Sequence, residues 1–453
     1  MLAALASNPR VRRLVRETVG GLPREFWWLW VSTLVNKLGA FVVTFLALYL
    51  TVERGYSASY AGLVAALFGL GSAIAALGAG VLADRIGRRP TLVAAQLGTA
   101  LFTVVLGFTD GQVAIAAVAF LVGLCNNATR PPTSAIIADL VPAEDRVRAY
   151  SLNYWAINIG FGLSAAVAGL IATHGYLTLF VLDALTTLIC AVVIFIRIPE
   201  TRPEPVPGAE RDGPAEPKVS LLTVFRDAPF MAVVGLNLLL ALIYQQGSTT
   251  LAVDMGASGI TSTEYGLVIG LNGLLIVVLQ IPLTRWMEGR SRTALLIASC
   301  LVTGWGFGLA ALAGSSAWLF ALSVAVWTVG EVLNAPTMMG LVSELAPTQA
   351  RGRYQGVYSL SWSLASFIGP AAGGLVLDHA GPGALWLVCG ICGTVAALGH
   401  VALGRRTKAA AAARTGSVTE VEATEVEATG VEATGVEALE VEAPAAGPAK
   451  ARA

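Results

Sequence analysis

Twelve apolar runs follow one another along this chain, near residues 26–50, 60–83, 90–108, 112–138, 149–172, 176–197, 229–253, 264–284, 293–313, 316–343, 354–377 and 383–404. Each is close to the roughly 20 residues a helix needs to cross the hydrocarbon of a bilayer. Where there is no water, every backbone N–H and C=O has to bond within the chain, which leaves helices as the spanning element for runs of this length. The sequence therefore predicts an all-α integral membrane protein with twelve transmembrane helices, numbered span 1 to span 12. Composition agrees: 55% of the 453 residues are hydrophobic and 13% are charged, about half the charged share of a soluble domain.

Lys and Arg balance Asp and Glu at 29 each, so sidedness has to come from placement. Positive residues are retained on the cytoplasmic side during insertion. With the N-terminus placed there, 26 of the 29 Lys and Arg fall on that side; Arg54 lies outside, and Lys37 and Arg130 lie within spans. The expectation is a multi-pass protein of the plasma membrane with both termini cytoplasmic. The N-terminus has arginines but no apolar run ending in a small-residue cleavage site, so no removable signal peptide is expected. Cys125, Cys190, Cys300, Cys389 and Cys392 all lie in apolar segments and read as packing residues.

A shift of 205 residues aligns "DLVPAEDRVR" (139–148) with "ELAPTQARGR" (344–353), and sets Pro131 on Pro336, Gly169 on Gly374 and Tyr60 on Tyr265. One register held from span 4 into span 5 marks a duplication of six spans plus six. The chain then divides into a cytoplasmic N-terminal segment (1–25), a first six-helix bundle (26–198), a cytoplasmic linker (199–228), a second six-helix bundle (229–404) and a tail (405–453). The linker stretch "PETRPEPVPGAERDGPAEPK" (199–218) is rich in Pro and charge and reads as flexible. The tail repeats an acidic pentad from 420 to 444 and lacks an apolar face, so disorder is expected there.

Between spans 2 and 3, "GVLADRIGRRP" (80–90) puts Asp84, Arg85, Arg88 and Arg89 within six residues. A carboxylate at one helix end can face the positive N-terminal end of another helix, and arginines can pair with carboxylates across an interface. Contacts made only while one face is closed favour one of two states. The plainer reading, arginines as topology anchors, needs neither the acid nor the glycines.

Gly80, Leu82, Ala83, Asp84, Arg85, Gly87, Arg88 and Arg89 match G-x-L-A-D-R-x-G-R-R, the signature of this loop in the major facilitator superfamily. With two six-span halves and both ends inside, the chain resembles that superfamily over roughly 26–404. The resemblance implies two pseudo-symmetric six-helix bundles around a central cavity, working by rocking-switch alternating access. It also implies a conformational latch, with Asp84 near the start of span 11, around Tyr354, and Arg88 reaching Asp139 at the end of span 4. The second copy of the loop, "RWMEGRSR" (285–292), has no acid at the place of Asp84. Span 11 holds "SFIGPAAGG" (366–374), in which Gly369, Pro370, Gly373 and Gly374 suit a close helix interface. The bacterial twelve-span drug:proton antiporters, which the chain resembles most, carry this element in span 5; here span 5 reads "GFGLSAAVAGLIA".

A charge in the membrane costs about 3 kcal/mol or more at mid-depth, so Lys37, Arg130, Asp183 and Glu331 are candidates for proton coupling. Glu331 stands first, because a carboxyl in a low dielectric can load and release a proton as access alternates; a permanent pair with Lys37 or Arg130 is the other reading. Arg130, in "NNATRPP", resembles the superfamily's span-4 arginine without its R-x-x-Q-G pattern. Asp183 lies nearer the outer end and reads as a satisfied polar residue. Candidates for the substrate cavity are Asn36, Asn126, Asn127, Asn153, Asn158, Tyr244, Gln245, Gln246, Asn272 and Asn334, since amides in lipid want partners; helix-to-helix hydrogen bonds explain any one of them equally.

Cys389 and Cys392 form a C-x-x-C without a second pair, the three histidines do not cluster, and no phosphate-binding G-x-x-x-x-G-K-S/T occurs. No metal site, no cofactor and no enzyme constellation is expected; the energy source would be a proton gradient. The resemblance implies a secondary active transporter for proton-coupled efflux of small amphipathic or drug-like compounds. The alternatives are a proton-coupled or facilitative uptake carrier for a sugar, peptide or organic anion, and a non-transporting sensor. Peptide carriers are disfavoured because span 1 has Asn36 and Lys37 in place of their E-x-x-E-R element. The expected partners are a small-molecule substrate and the lipid bilayer, with no nucleic acid and a monomeric chain.

Overall fold

The computed structural model describes residues 20–202, 221–347 and 351–432. Among these, eleven helical runs are long and apolar enough to cross a membrane, and the last, Arg353–Arg405, is two helices broken at Gly381, where φ is 78° and ψ 172°. Twelve spans result, with ends close to those the apolar runs predict: span 6 is Tyr176–Arg197, span 8 Ser262–Met287 and span 10 Ala317–Leu345. Their outward faces are apolar, with Val113 85% and Trp318 86% exposed. In water such a surface would drive association, whereas in lipid it is the solvated face.

The helix of span 2, Ala58–Ile86, runs on into the charged loop and stops at Gly87. The next helix, Arg88–Phe108, begins at the following residue, so the chain turns between two helices on a single position. That position has φ 114°, which glycine adopts at no steric cost.

In the first half span 1 packs on spans 5 and 6, span 2 on span 4, and span 3 on span 6; in the second half span 10 packs on spans 8 and 9. The halves meet along spans 5 and 8. A Cβ on Gly266 would lie 2.4 Å from the Ala165 carbonyl oxygen, and one on Gly273 2.5 Å from Gly162 Cα. Small residues let two backbones come this close, and dispersion then holds them where lipid offers no hydrophobic drive. Spans 2 and 11 form a second seam, in which a Cβ on Gly62 would lie 2.3 Å from the Pro370 carbonyl oxygen and one on Gly374 2.5 Å from that of Ala58. In the same stretch of span 11, Gly369 and Gly373 lie against Gln245 and Gln246 of span 7.

Three spans are broken midway, a feature the apolar runs did not reveal. Span 1 is Arg24–Leu38 followed by Phe41–Leu48; span 4 is Gln112–Asn127 followed by Arg130–Leu140; span 7 is Ala228–Ser248 followed by Thr250–Ala257. In span 4 Pro131 and Pro132 open the second piece and supply no N–H to continue the first. Broken backbone at membrane depth is tolerated where it lines a cavity.

From Ala402 the chain forms a separate compact unit, helical as far as Glu432, where composition pointed to disorder. The Ala run 409–413 has the highest intrinsic helix propensity available. Most of the N-terminal segment, linker residues 203–220 and the pentads beyond 432 lie outside the described residues. In the rest of the linker, Leu221–Arg226 is a short helix.

Candidate transport cavity and latches

The breaks in spans 1 and 4 border a cavity of about 420 Å³, lined by Lys37, Ala40, Asn126, Asn127, Arg130, Asn158, Gln245 and Trp362 among others. Toward the second half it continues into a recess of about 240 Å³ that adds Tyr244, Asn272, Trp327 and Glu331. Into the first half it continues as a side pocket of about 300 Å³, which shares Lys37 and Arg130 and adds Ser32, Asn36, Gln96 and Asn153. The Tyr244 and Trp362 rings stack with centroids 5.9 Å apart, and Trp327 stands edge-on to Tyr244 at 6.5 Å.

Helix ends explain where the charges sit. Lys37 is in the last turn of Arg24–Leu38, where the helix dipole favours a cation. Asp183 Oδ2 accepts the Val42 N–H at 3.1 Å, at the start of the second piece of span 1. Asp183 is buried at that cap and lines none of the three hollows. Glu331 Oε2 accepts from Asn272 Nδ2 at 3.0 Å, and Asn272 also donates to Thr328 Oγ1 at 3.0 Å. Among the described residues Glu331 makes no ion pair with Lys37 or Arg130.

Two further cavity candidates have their bonds elsewhere. Gln246 is buried, donating to the Gly369 carbonyl at 3.1 Å and accepting from Thr250 Oγ1 at 2.9 Å. Asn334 is buried and donates to Ser299 Oγ at 3.3 Å. Both tie helices together away from the cavity. Asn36 does both jobs, lining the side pocket while donating to Thr187 Oγ1 at 3.1 Å. A buried carboxylate that the sequence reading passed over, Asp254, accepts from Trp386 Nε1 at 2.7 Å; it lies one residue beyond the end the apolar run gave span 7.

In the charged loop, Arg88 lies 3.4 Å from Asp84 and 3.3 Å from Asp139. Asp84 is 73% exposed and does not meet span 11; Tyr354 donates instead to Asp227 at 2.8 Å. At this face a cleft of about 770 Å³, lined by Tyr150, Tyr154, Trp155, Gln280 and Ile281 among others, parts spans 5 and 8. The hydrogen bonds that join the halves among the described residues lie deeper or at the opposite face: Asp378 accepts the N–H groups of Ala58 (3.1 Å) and Ser59 (2.6 Å), Tyr176 shares a bond with Ser262 (2.9 Å), and Tyr265 donates to the Thr44 carbonyl (3.0 Å). Hydrogen bonds between the halves thus close the face opposite the 84–89 loop, and a cleft lies between spans 5 and 8 at the loop face.

Two carboxylates at these faces were not foreseen. Glu200, just after span 6, accepts the N–H groups of Arg88 at 2.9 Å and Arg89 at 3.1 Å, the first donors of span 3. Beside it Thr201 donates to Asp139 at 2.9 Å and Arg202 to the Arg85 carbonyl at 2.6 Å. Asp378 caps span 2 from the end of span 11, which is the arrangement expected of Asp84, mirrored at the opposite face.

Losing a helix cap costs about 1 kcal/mol, roughly fivefold in a two-state ratio. Asp378→Ala should therefore shift the protein toward closure at the loop face, seen as a several-fold slower thiol labelling of a cysteine placed at Tyr154. Asp84→Asn should move that labelling the other way, because Asp84 has nothing to lose in the open state beyond an exposed i,i+4 pair. Unchanged labelling in both variants would remove the carboxylates from the latch.

Two similar six-span halves around a mid-depth cavity bordered by broken helices define a membrane transporter. The sequence profile of the Major Facilitator Superfamily matches residues 29–258 and 248–436, and the chain belongs to that superfamily. It is 26% identical over 368 residues to the MFS-type transporter YhjO of Bacillus subtilis, covering 79% of this chain and 88% of the relative. It is 25% identical over 392 residues to the multidrug resistance protein MdtH of Salmonella arizonae (84% and 94%), and 24% identical over 357 residues to a Na(+), Li(+), K(+)/H(+) antiporter of Planococcus maritimus (73% and 84%). Among solved structures the fold matches a peptide transporter POT (TM-score 0.72, 18% identity, 86% of this chain and 95% of the other) and the nucleoside transporter NupG (0.70, 14%, 84% and 99%).

Proposed function

We propose that this transporter exports small amphipathic compounds in exchange for protons. It does so across the plasma membrane, with both termini and the 84–89 loop on the cytoplasmic side, as a monomer driven by the proton gradient alone. The observation that carries this reading is Glu331: an ionisable carboxyl on the cavity wall, held by one amide, without an ion-pair partner among the described residues, beside an aromatic surface. The names of MdtH and the cation/proton antiporter support both the substrate class and the coupling, and the distribution of Lys and Arg supports the sidedness.

The exchange follows from competition at one carboxyl. In the cytoplasm-open state the substrate binds where the proton sits and displaces it into the cytoplasm. In the outward-open state the substrate leaves and Glu331 takes up a proton from outside, so the protonated, empty protein is the form that returns. Adding a transported compound to the purified protein in weak buffer should release protons, about one per site. The same addition to Glu331→Gln should release none. Proton uptake on binding would reverse the coupling and indicate the uptake carrier instead.

A further inference from the structure

The side pocket collects more unspent polarity than its walls can satisfy. Lys37 and Arg130 stand together where it joins the central cavity. Neither makes an ion pair or hydrogen bond to another described residue. Asp183 attracts Lys37 without forming an ion pair with it, and its Oδ2 accepts the Val42 N–H. Arg130 begins the helix Arg130–Leu140, the positive end of a dipole, where a cation is disfavoured unless an anion joins it. Behind the two cations Ser32 Oγ, Gln96 Oε1 and Asn153 Oδ1 are buried without a protein partner, and Ser32 and Gln96 are only 2% and 5% exposed. Buried polar groups left unpaired cost about 1–3 kcal/mol each, and these three belong to residues that line this one hollow.

The opposite wall has the complementary sign. The recess in the second half offers the Glu331 carboxylate, with the stacked Tyr244 and Trp362 rings beside it. The two regions are continuous through the central cavity, which touches both Arg130 and Trp362.

We infer that the transported compound is dipolar: its acidic group enters the side pocket between Lys37 and Arg130, its basic group meets Glu331, and a planar apolar body spans the aromatic wall between them. This rests on the exchange reading above and gives it a cause, since a bound ammonium takes the place of the Glu331 proton. The acid, held on the first half, bridges the two halves through the substrate. Ser32 and the amides of Gln96 and Asn153 complete the shell around the acid, as each amide can donate or accept according to how it is turned.

The test is a square of four compounds on one naphthalene frame, titrated calorimetrically into the full chain in zwitterionic nanodiscs without any gradient. 6-(Aminomethyl)-2-naphthoic acid is dipolar, its carboxamide keeps only the base, its N-acetyl derivative keeps only the acid, and the doubly blocked compound is neutral. The dipolar compound should bind at least about tenfold tighter than either singly blocked one, as expected of paired charge-assisted contacts. Arg130→Met and Lys37→Met should erase the gain from the acid and leave the gain from the base; Glu331→Gln should do the reverse. Arg130→Lys should keep part of the acid gain, and unchanged binding of the neutral compound shows that each variant is folded. A dipolar compound that binds no tighter than the neutral one, or gains that the variants do not separate, overturns the inference. Because no gradient is used, the outcome is independent of transport. A dipolar preference without proton release would sink the exchange and leave the site, and proton release without the preference would do the opposite.

Discussion

Glu331→Gln is expected to lower pH-gradient-driven transport by about a hundredfold, at the upper end of coupling between two bound species, while substrate-for-substrate exchange at equal pH, weakened by the lost contact to the basic group, stays measurable at raised substrate concentration. The separation follows from what the substitution keeps. Gln has nearly the shape of a protonated Glu, and its oxygen can still accept from Asn272, whose second bond, to Thr328, is untouched. The variant therefore keeps the shape of the cavity but has no proton to trade: substrate binds more weakly, through the remaining contacts, and crosses without a proton being handed over. Proteoliposomes loaded with labelled substrate measure both modes in one preparation. If the gradient still drives transport with its pH dependence unchanged, Glu331 is not the site of exchange.

Gly266→Val is expected to cost about as much for a different reason. Its Cβ would lie 2.4 Å from the Ala165 carbonyl oxygen and 2.9 Å from Gly169 Cα, both backbone atoms of a helix that cannot rotate aside. Overpacking of this kind costs about 3 kcal/mol, about a hundredfold in the ratio of the two states. The contact lies in the seam that closes the face opposite the 84–89 loop, so by rocking-switch alternating access the substitution should penalise the open-to-the-loop state and spare the other. A cysteine at Tyr154 should become protected from labelling as transport falls in step. Gly235, with open space where a Cβ would go, is the control: Gly235→Ala should leave both unchanged. Loss of transport with full labelling at position 154 would mean that the seam matters for folding and not for access.

The spans were legible because length and apolarity report membrane thickness directly, and neither depends on what a helix packs against. The breaks were not, since Gly39 and Thr249 are residues that membrane helices accept anywhere; Pro131 and Pro132 were the one local signal, in span 4. Gln245 and Gln246 show the limit at the cavity. They are adjacent, chemically identical and about 100° apart around one helix, and the structure turns the first into the cavity and the second into span 11. Sequence alone cannot choose between them without the rotation of span 7. Arg88 and Asp139 were legible through the family signature, whereas Glu200 reaches Arg88 across 112 residues and Asp378 reaches Ser59 across 319. No periodicity carries such pairings. Asp84 is a different case: the contact with span 11 that the resemblance implied is not made in this structure, where Tyr354 meets Asp227.

Exchange of an amphipathic compound for a proton through a cavity open to one side at a time is a statement about flux, and it is measured across a membrane. Purified protein in vesicles, given an imposed pH gradient and a panel of dyes, antibiotics and dipolar aromatic compounds, should move at least one class of compound against its own gradient toward the acidic side. That movement should collapse when a protonophore removes the gradient. Movement in the direction of proton flow, or no flux for any compound under a verified gradient, would contradict the account.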